Sequence, residues 1–207
     1  ALLARYGVDW FRRLGTPEDP GTFLATVTGS DPRVVAHPGV VEVPRATPLS
    51  TVLAAAGTDP ARVAGVLVGG YHGAWVPGTD RDVLLTSRDL ARHGATPGAG
   101  VVHVLDRDTC PLALAASVAA YLASQSTRQC GPCVNGLPQL ARTLQRLAVP
   151  GADPALVTEV ERLRRTVDGR GACAHPDGTA RFVASTMRVF ADHVEDHLRG
   201  DCHARAR

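Results

Sequence analysis

The sequence contains no lysine, so all 22 of its basic residues are arginines. The arginines are spread along the chain without a run, and the formal net charge is only +2, so a nucleic-acid-binding surface is not indicated. Long hydrophobic runs are also lacking. No apolar stretch approaches the roughly 20 residues that cross a bilayer, and no signal peptide opens the sequence. We therefore expect neither a nucleic-acid partner nor a membrane span.

Apolar residues and cysteines are the informative part of the composition. Apolar residues make up 44% of the 207 residues, which is enough for the core of one large or two small domains. The five cysteines are an odd number, and all of them lie in the C-terminal half. This distribution favours a reducing compartment and a metal-binding use over a disulfide framework. We therefore expect a cytoplasmic protein.

Cys130 and Cys133 are separated by two residues, in a turn between two predicted helices. At this spacing two sulfurs can bind one atom while the backbone N–H groups between them, including that of Gly131, point towards it. Cys173 lies in a later turn between helices and is the obvious third thiol. Cys110 and Cys202 are better interpreted as buried or stray cysteines.

The Cys-Gly-Pro-Cys segment has three competing interpretations. Its sequence matches the Cys-x-x-Cys active site of thioredoxin-like oxidoreductases. In those proteins the motif comes directly after a strand, whereas here the end of an alanine-rich helix precedes Cys130. A zinc site needs further Cys or His ligands. An iron–sulfur cluster needs three or four thiolates from more than one segment, and Cys173 supplies the third.

The chain is predicted to have an α+β fold. Stretch 23–29 alternates in polarity and predicts a strand, and its pairing with a second predicted strand over 39–44 would make a hairpin. A helix over 47–56 and a buried strand over 63–70 follow. The order strand–strand–helix–strand in so short a segment indicates a small β-grasp (ubiquitin-like) module.

A strand over 101–105 is followed by helical periodicity to the end of the chain. Helices are predicted to begin near residues 111, 137, 154 and 177, and their short connections indicate a four-helix bundle carrying an iron–sulfur site. Thr109 is the predicted cap of the first of them. Cys130 and Cys133 lie in the first connection and Cys173 in the third. These connections meet at the same end of an up-down-up-down bundle, so all three thiols can meet there.

Two motifs carry a family resemblance. Ser-x-x-x-Cys-x-Pro-Cys-x-x-Gly occupies 126–136, and Gly-Arg-x-x-Cys-Ala occupies 169–174. Together they resemble the cluster-binding domain of the NADH-oxidising flavoprotein subunit of respiratory complex I, in the family of the F subunit of NADH-quinone oxidoreductase. The segment 10–22 resembles the part of that family just after its flavin domain, so the resemblance covers essentially the whole chain.

This resemblance implies that Cys130, Cys133 and Cys173 are ligands of a [4Fe-4S] cluster. The first cysteine of the family motif falls on Thr127, and the glycine after it falls on Arg128. A neutral alcohol is a poor substitute for a thiolate. The fourth ligand is therefore expected to be water, Thr127 or His175, which predicts a site-differentiated cluster or a [3Fe-4S] form.

The resemblance also implies a domain organisation and a function. Residues 1–21, in which 1–14 read as one amphipathic helix, correspond to the end of a flavoprotein domain, 22–100 to a soluble-ligand-binding β-grasp module, and 101–207 to the cluster-binding bundle. FMN and NADH would bind only in a missing N-terminal domain, so the chain is expected to be a fragment without NADH-oxidising activity of its own. The partners implied are that flavoprotein domain and other redox subunits or acceptors, at a location peripheral to a membrane complex.

Two alternative functions stay open. One is a partner-docking module that has lost the cluster together with the first cysteine. The other is a dithiol redox protein that uses Cys130 and Cys133 alone.

The C-terminal segment offers a further metal pattern. His193 and His197 are one helical turn apart, and Cys202 and His203 follow. The acidic residues and arginine around them favour a solvated helix at the end of the chain instead.

Overall fold

The computed structural model describes residues 1–202 and residue 204. It divides into two compact units, the first comprising Ala1–Gly70 and Val76–Asp106 and the second Tyr71–Trp75 and Arg107–Arg207. The predicted mixed α+β class is confirmed, with a five-stranded sheet and a set of helices after it. Within the described part of the chain, no helix combines the length and the apolar character needed to cross a membrane.

The five strands follow one another in the order β2-β1-β5-β3-β4 across the sheet. Their bounds are β1 Thr22–Gly29, β2 Gly39–Pro44, β3 Val63–Val68, β4 Ala74–Pro77 and β5 Val101–Asp106. The predicted hairpin is confirmed, because β1 and β2 pair antiparallel with Thr22 opposite Pro44. β1 pairs parallel with β5, and β5 pairs antiparallel with β3. Strand β4, only four residues long, was not predicted.

Helices and ion pairs complete the first unit. α2 (Leu49–Ala55) buries Leu49, Val52 and Leu53, and Gly57 follows it with a φ of +64°, a conformation that glycine adopts without strain. α3 is the short helix Ser87–Leu90. At the end of β5, the fully buried Asp106 accepts two hydrogen bonds of 2.6 and 2.7 Å from Arg62.

The N-terminal helix is shorter than predicted. α1 spans Leu2–Phe11 and is kinked at Gly7, whose φ of +79° lies outside the helical region. None of its residues is buried. The prediction of one continuous helix over residues 1–14 is therefore wrong at the kink and at the C-terminal end.

The second unit is helical. It contains α4 Pro111–Ser124, α5 Leu137–Leu147, α6 Ala155–Val167, α7 His175–Val189 and α8 Ala191–Arg199. The last predicted helix is therefore two helices, separated at Phe190, where φ is −111° and ψ is +34°. The N-cap of α4 is Cys110 rather than the predicted Thr109, and its sulfur accepts the Ala113 N–H at 3.4 Å.

Candidate metal centre

Cys133 lies in a single π-helical turn, Pro132–Gly136, directly before α5. The turn is closed on its N-terminal side by a 3.0 Å hydrogen bond from the Val134 N–H to the Cys130 carbonyl. Such turns are rare and concentrate at functional sites, because the extra residue redirects side chains. Here Cys133 is only 3% exposed, and it packs in an apolar cluster with Ala123, Leu137, Val167 and Ala180. Cys130 packs against that cluster and is half-buried.

Cys173 lies on the exposed side of the same site. It belongs to the turn between α6 and α7, where the Ala172 N–H donates a hydrogen bond to the Cys130 sulfur. Cys133 interacts electrostatically with both Cys130 and Cys173. The structure thus brings together the three cysteines from two connections of the helical unit.

The three thiols have different electrostatic environments. The N–H groups of Ala172 and then of Cys133 lower the pKa of Cys130, because they stabilise its thiolate. Burial raises the pKa of Cys133, and the neighbouring Cys130 and Cys173 raise it further. Three soft sulfur donors, one already polarised by backbone N–H groups and one in an apolar pocket, fit the thiolate ligation of an iron–sulfur cluster.

Thr127 and Arg128 occupy an irregular segment between α4 and Cys130. The Thr127 side chain is exposed. Arg128 has a φ of +54°, in the left-handed region that glycine adopts without strain and L-residues rarely visit. Gly131 has ordinary helical φ and ψ, and nothing lies within 4 Å of the position its Cβ would occupy.

His175, the other candidate for a fourth ligand, is the first residue of α7. Its Nε2 lies 2.9 Å from the Leu122 carbonyl oxygen. A carbonyl can only accept, so Nε2 carries the proton and the lone pair is on Nδ1. Histidines that bind metals usually donate their second N–H to a carbonyl or carboxylate in this way. The His72 ring stands edge-on to His175, with centroids 4.9 Å apart.

A second group of possible ligands lies elsewhere in the helical unit. It consists of Cys110, His193, His197 and Cys202, whose ligand atoms all lie within 4.8 Å of one another. Burial raises the pKa of Cys110 to about 11, and burial lowers the pKa of His197. The expectation of a solvated C-terminal helix is wrong at His197, which is 1% exposed. Cys110 and Cys202, interpreted from the sequence as buried or stray cysteines, are both half-buried, and they are not stray, because they lie in this group together.

Sequence reasoning identified three members of this group but did not connect them to Cys110. Cys110 is 83 residues from His193 and 87 from His197, so no spacing motif reveals the contact. His203, which the sequence pattern included, lies outside the described residues.

Comparison with known proteins finds a family that part of the chain matches. Residues 113–197 match the NADH-ubiquinone oxidoreductase-F iron-sulfur binding region. That span contains the Cys-x-x-Cys turn and Cys173, whereas Cys110 and Cys202 lie outside it.

Similar curated proteins include NADH dehydrogenase [ubiquinone] flavoprotein 1 of Dictyostelium discoideum, which is 28% identical over 95% of this chain and 41% of that protein. The F subunit of the NADH-quinone oxidoreductase of Streptomyces coelicolor is 26% identical over 94% of this chain and 43% of that protein. The HndC subunit of the NADP-reducing hydrogenase of Solidesulfovibrio fructosivorans is 26% identical over 93% of this chain and 39% of that protein. The chain therefore spans less than half the length of these relatives.

Solved structures with a similar fold include the NAD+-reducing [NiFe]-hydrogenase in its H2-reduced state. The TM-score is 0.79 at 26% identity, over 96% of this chain and 32% of that one. The air-oxidised state of a hydrogenase of the same description gives a TM-score of 0.78.

Proposed function

We propose that the chain corresponds to the C-terminal part of the F subunit of NADH-quinone oxidoreductase and is an electron-transfer module with Cys130, Cys133 and Cys173 as its cluster ligands. The matched region is an iron–sulfur binding region. A [4Fe-4S] cluster bound there would supply a one-electron carrier. In this proposal the electrons come from a flavin- and NADH-binding domain and pass to other redox subunits.

The observation that carries the proposal is the contact between the two cysteine turns. The Ala172 N–H reaches the Cys130 sulfur, although Cys130 follows α4 and Ala172 follows α6. Cys173 is the next residue after Ala172, and Cys133 interacts electrostatically with both other thiols. The chain's own contribution is to hold three thiolates in position, to stabilise one with backbone N–H groups, and to exclude water from the Cys133 side.

The proposal includes the finer fold assignments. The strand order β2-β1-β5-β3-β4, with β1 and β5 paired parallel, supports a β-grasp module that needs β5 in addition to residues 22–100. Helices α4 to α7, with α8 continuing beyond them, support a four-helix bundle in the part of 101–207 that follows β5. Residues 1–21 are assigned to the end of a flavoprotein domain, and a cytoplasmic location peripheral to a membrane complex stays a prediction.

The first test counts iron and acid-labile sulfide per chain after anaerobic purification. The proposal predicts several of each, in near-equal amounts. Cys173→Ala should remove the visible chromophore as completely as Cys130→Ala, because all three thiolates are ligands. His37→Ala, at an exposed residue outside the helical unit, is the control and should retain iron, sulfide and the chromophore. A chromophore that survives Cys173→Ala contradicts the ligand set.

A dithiol redox protein is the second candidate, favoured by the lowered pKa of Cys130 beside the buried Cys133. Thiol–disulfide exchange needs only an attacking and a resolving thiol, so Cys173 would be a bystander. The discriminating assay is reduction of insulin disulfides. Turnover that persists in Cys173→Ala but disappears in Cys130→Ala supports the dithiol. A folded chain with neither iron nor insulin-reducing activity supports a docking module without a cluster.

A further inference from the structure

We propose that Cys110, His193, His197 and Cys202 form a second metal site, which binds a single zinc ion and has a structural role. The four side chains come from three places in the helical unit. Cys110 is the N-cap of α4, the two histidines lie one turn apart on α8, and Cys202 follows the end of α8. Two thiols and two imidazoles are the ligand set that favours tetrahedral zinc.

The distances between ligand atoms fit one tetrahedral ion. Cys110 Sγ lies 3.5 Å from Nε2 of both histidines, and Cys202 Sγ lies 3.8 Å from Nε2 of His193. Zn–S bonds of about 2.3 Å and Zn–N bonds of about 2.0–2.1 Å at tetrahedral angles put sulfur and nitrogen about 3.6 Å apart. The three measured edges are therefore those of a zinc tetrahedron to within about 0.2 Å.

The same distances argue against an iron–sulfur cluster at this place. A cluster is several atoms wide, so ligands on different irons are farther apart than ligands of one ion. Here every pair of ligand atoms lies within 4.8 Å. The three cysteines of the proposed cluster site do not belong to this group, so the two sites are chemically and spatially separate.

The surroundings of the four residues support a preformed site. The Cys110 sulfur accepts the Ala113 N–H at the N-terminus of α4, and this bond holds it 3.5 Å from Nε2 of both histidines. His197 is 1% exposed, and its Nε2 lies 3.5 Å from the Cys110 sulfur, so Nε2 is the ring nitrogen that faces the site.

The position of the site suggests a structural role. Four protein ligands leave no open coordination position, which is the pattern of structural rather than catalytic zinc. A zinc ion there would join the start of α4 to α8. The His197 carbonyl also accepts the Gly151 N–H at 2.6 Å, so the α5–α6 connection is attached to the same point. Zinc loss should therefore loosen the part of the helical unit where α4 begins and α8 ends.

The test uses the full chain, reconstituted separately with Zn²⁺ and with Co²⁺ after treatment with a chelator. Bound zinc and cobalt are measured by elemental mass spectrometry, and iron and acid-labile sulfide are measured in the same samples. We expect about one zinc per chain in the wild type, and a loss of at least tenfold in Cys202→Ser and in His193→Ala. His37→Ala, an exposed histidine of the other unit, is the matched control and should keep the zinc.

A rescue variant distinguishes ligation from a packing role. Cys202 lies outside regular structure, so Cys202→Ser should fold, and Cys202→His should restore zinc binding because imidazole is also a zinc ligand. The cobalt spectrum is measured in the Cys173→Ala background, which removes cluster absorption. Co²⁺ should there give the intense visible bands of a tetrahedral thiolate site. These bands should disappear when Cys202→Ser is added. In the same Cys173→Ala background, a chelator should lower the melting temperature when Cys202 is present but not when Cys202→Ser is added.

Three results would overturn the zinc site. The first is a wild-type chain that holds no more zinc than Cys202→Ser. The second is an identical Co²⁺ spectrum with and without Cys202. The third is iron with sulfide that depends on Cys110 and His193. Failure of the cluster proposal looks different, because the chain would then lack iron and sulfide while its zinc remains.

Discussion

Thr127 is the residue on which the stability of the proposed cluster depends. It stands where the family motif has its first cysteine, and its side chain is exposed. Three thiolates leave one iron with a weak or exchangeable ligand, so exposure to air should convert a [4Fe-4S] centre into a [3Fe-4S] form. We expect Thr127→Cys to supply the missing thiolate and to suppress the [3Fe-4S] signal in electron paramagnetic resonance after the same exposure.

Two companion variants identify the fourth ligand. Thr127→Val removes the hydroxyl, and His175→Ala removes the imidazole. If water completes the coordination, neither variant changes the rate of conversion in air. Faster conversion in one of them identifies that residue as the ligand, and a wild-type cluster that survives oxidation intact contradicts the prediction of an open position.

Arg128 carries a backbone conformation that its side chain disfavours. A left-handed conformation costs an L-residue roughly 1–2 kcal/mol, and glycine avoids this strain. Glycine, however, loses about 0.5–1 kcal/mol more than alanine in backbone entropy on folding. With a φ of +54° in the native state, Arg128→Gly should be more stable than Arg128→Ala by up to about 1 kcal/mol. Both variants lose the same guanidinium, so the difference in their unfolding free energy in urea isolates the backbone. If Arg128→Ala is at least as stable as Arg128→Gly, the prediction of backbone strain at Arg128 is wrong.

At the scale of secondary structure, the π-helical turn depends on the absence of a side chain at Gly136. Its backbone is helical, with φ −66° and ψ −57°, so an alanine fits the conformation. The added Cβ, however, would lie 2.2 Å from Cγ1 of the fully buried Val167. We expect Gly136→Ala to lower the unfolding free energy by about 1–3 kcal/mol through overpacking, and to reduce the amount of bound iron.

Gly131 provides the matched control for this prediction. Its backbone is also helical, but nothing lies within 4 Å of an added Cβ. Gly131→Ala should therefore leave stability unchanged or raise it by up to about 1 kcal/mol, with iron retained because the backbone N–H is unaltered. Val167→Ala should restore part of the stability lost in Gly136→Ala. Equal effects of the two glycine substitutions would show that the contact with Val167 is not the cause.

At the scale of the whole molecule, a buried histidine links stability to pH. Burial lowers the pKa of His103 below the ordinary value of 6.5. Its Nδ1 lies 2.9 Å from the Thr28 hydroxyl, and its Nε2 is buried without a hydrogen-bond partner. The folded chain therefore holds His103 neutral, while the unfolded chain binds a proton below about pH 6.5. The contribution of His103 to the free energy of unfolding is therefore fully present above about pH 6.5. It is lost as the pH falls towards the lowered pKa of His103 in the folded state.

The measurement is urea unfolding of the wild type and His103→Gln at pH 7.5 and pH 5.5. The wild type should be less stable at the lower pH. His103→Gln has no titrating group there, so its difference between the two pH values should be smaller. His37→Ala removes an exposed histidine and should keep the wild-type difference. An unchanged pH dependence in His103→Gln would assign the effect to other groups.

Short-range patterns in the sequence determined much of the fold and the cysteine site. The alternation in 23–29 and the second strand over 39–44 predicted the hairpin, because strand pairing across a short connection follows from local polarity and turn residues. Helix periodicity located α4 to α6, and the order of their connections predicted that Cys173 lies near Cys130 and Cys133. Loss of the first family cysteine at Thr127 was likewise visible in the sequence alone.

Only the tertiary structure decided the features that depend on contacts between distant residues. The four-residue strand β4 is too short to produce a pattern of its own, and it forms because β3 offers it an edge. Cys110 meets His193 and His197 across 83 and 87 residues, and no local signal encodes that contact. The acidic residues of α8 predicted exposure, yet only one face of a helix meets solvent, and packing placed His197 on the other.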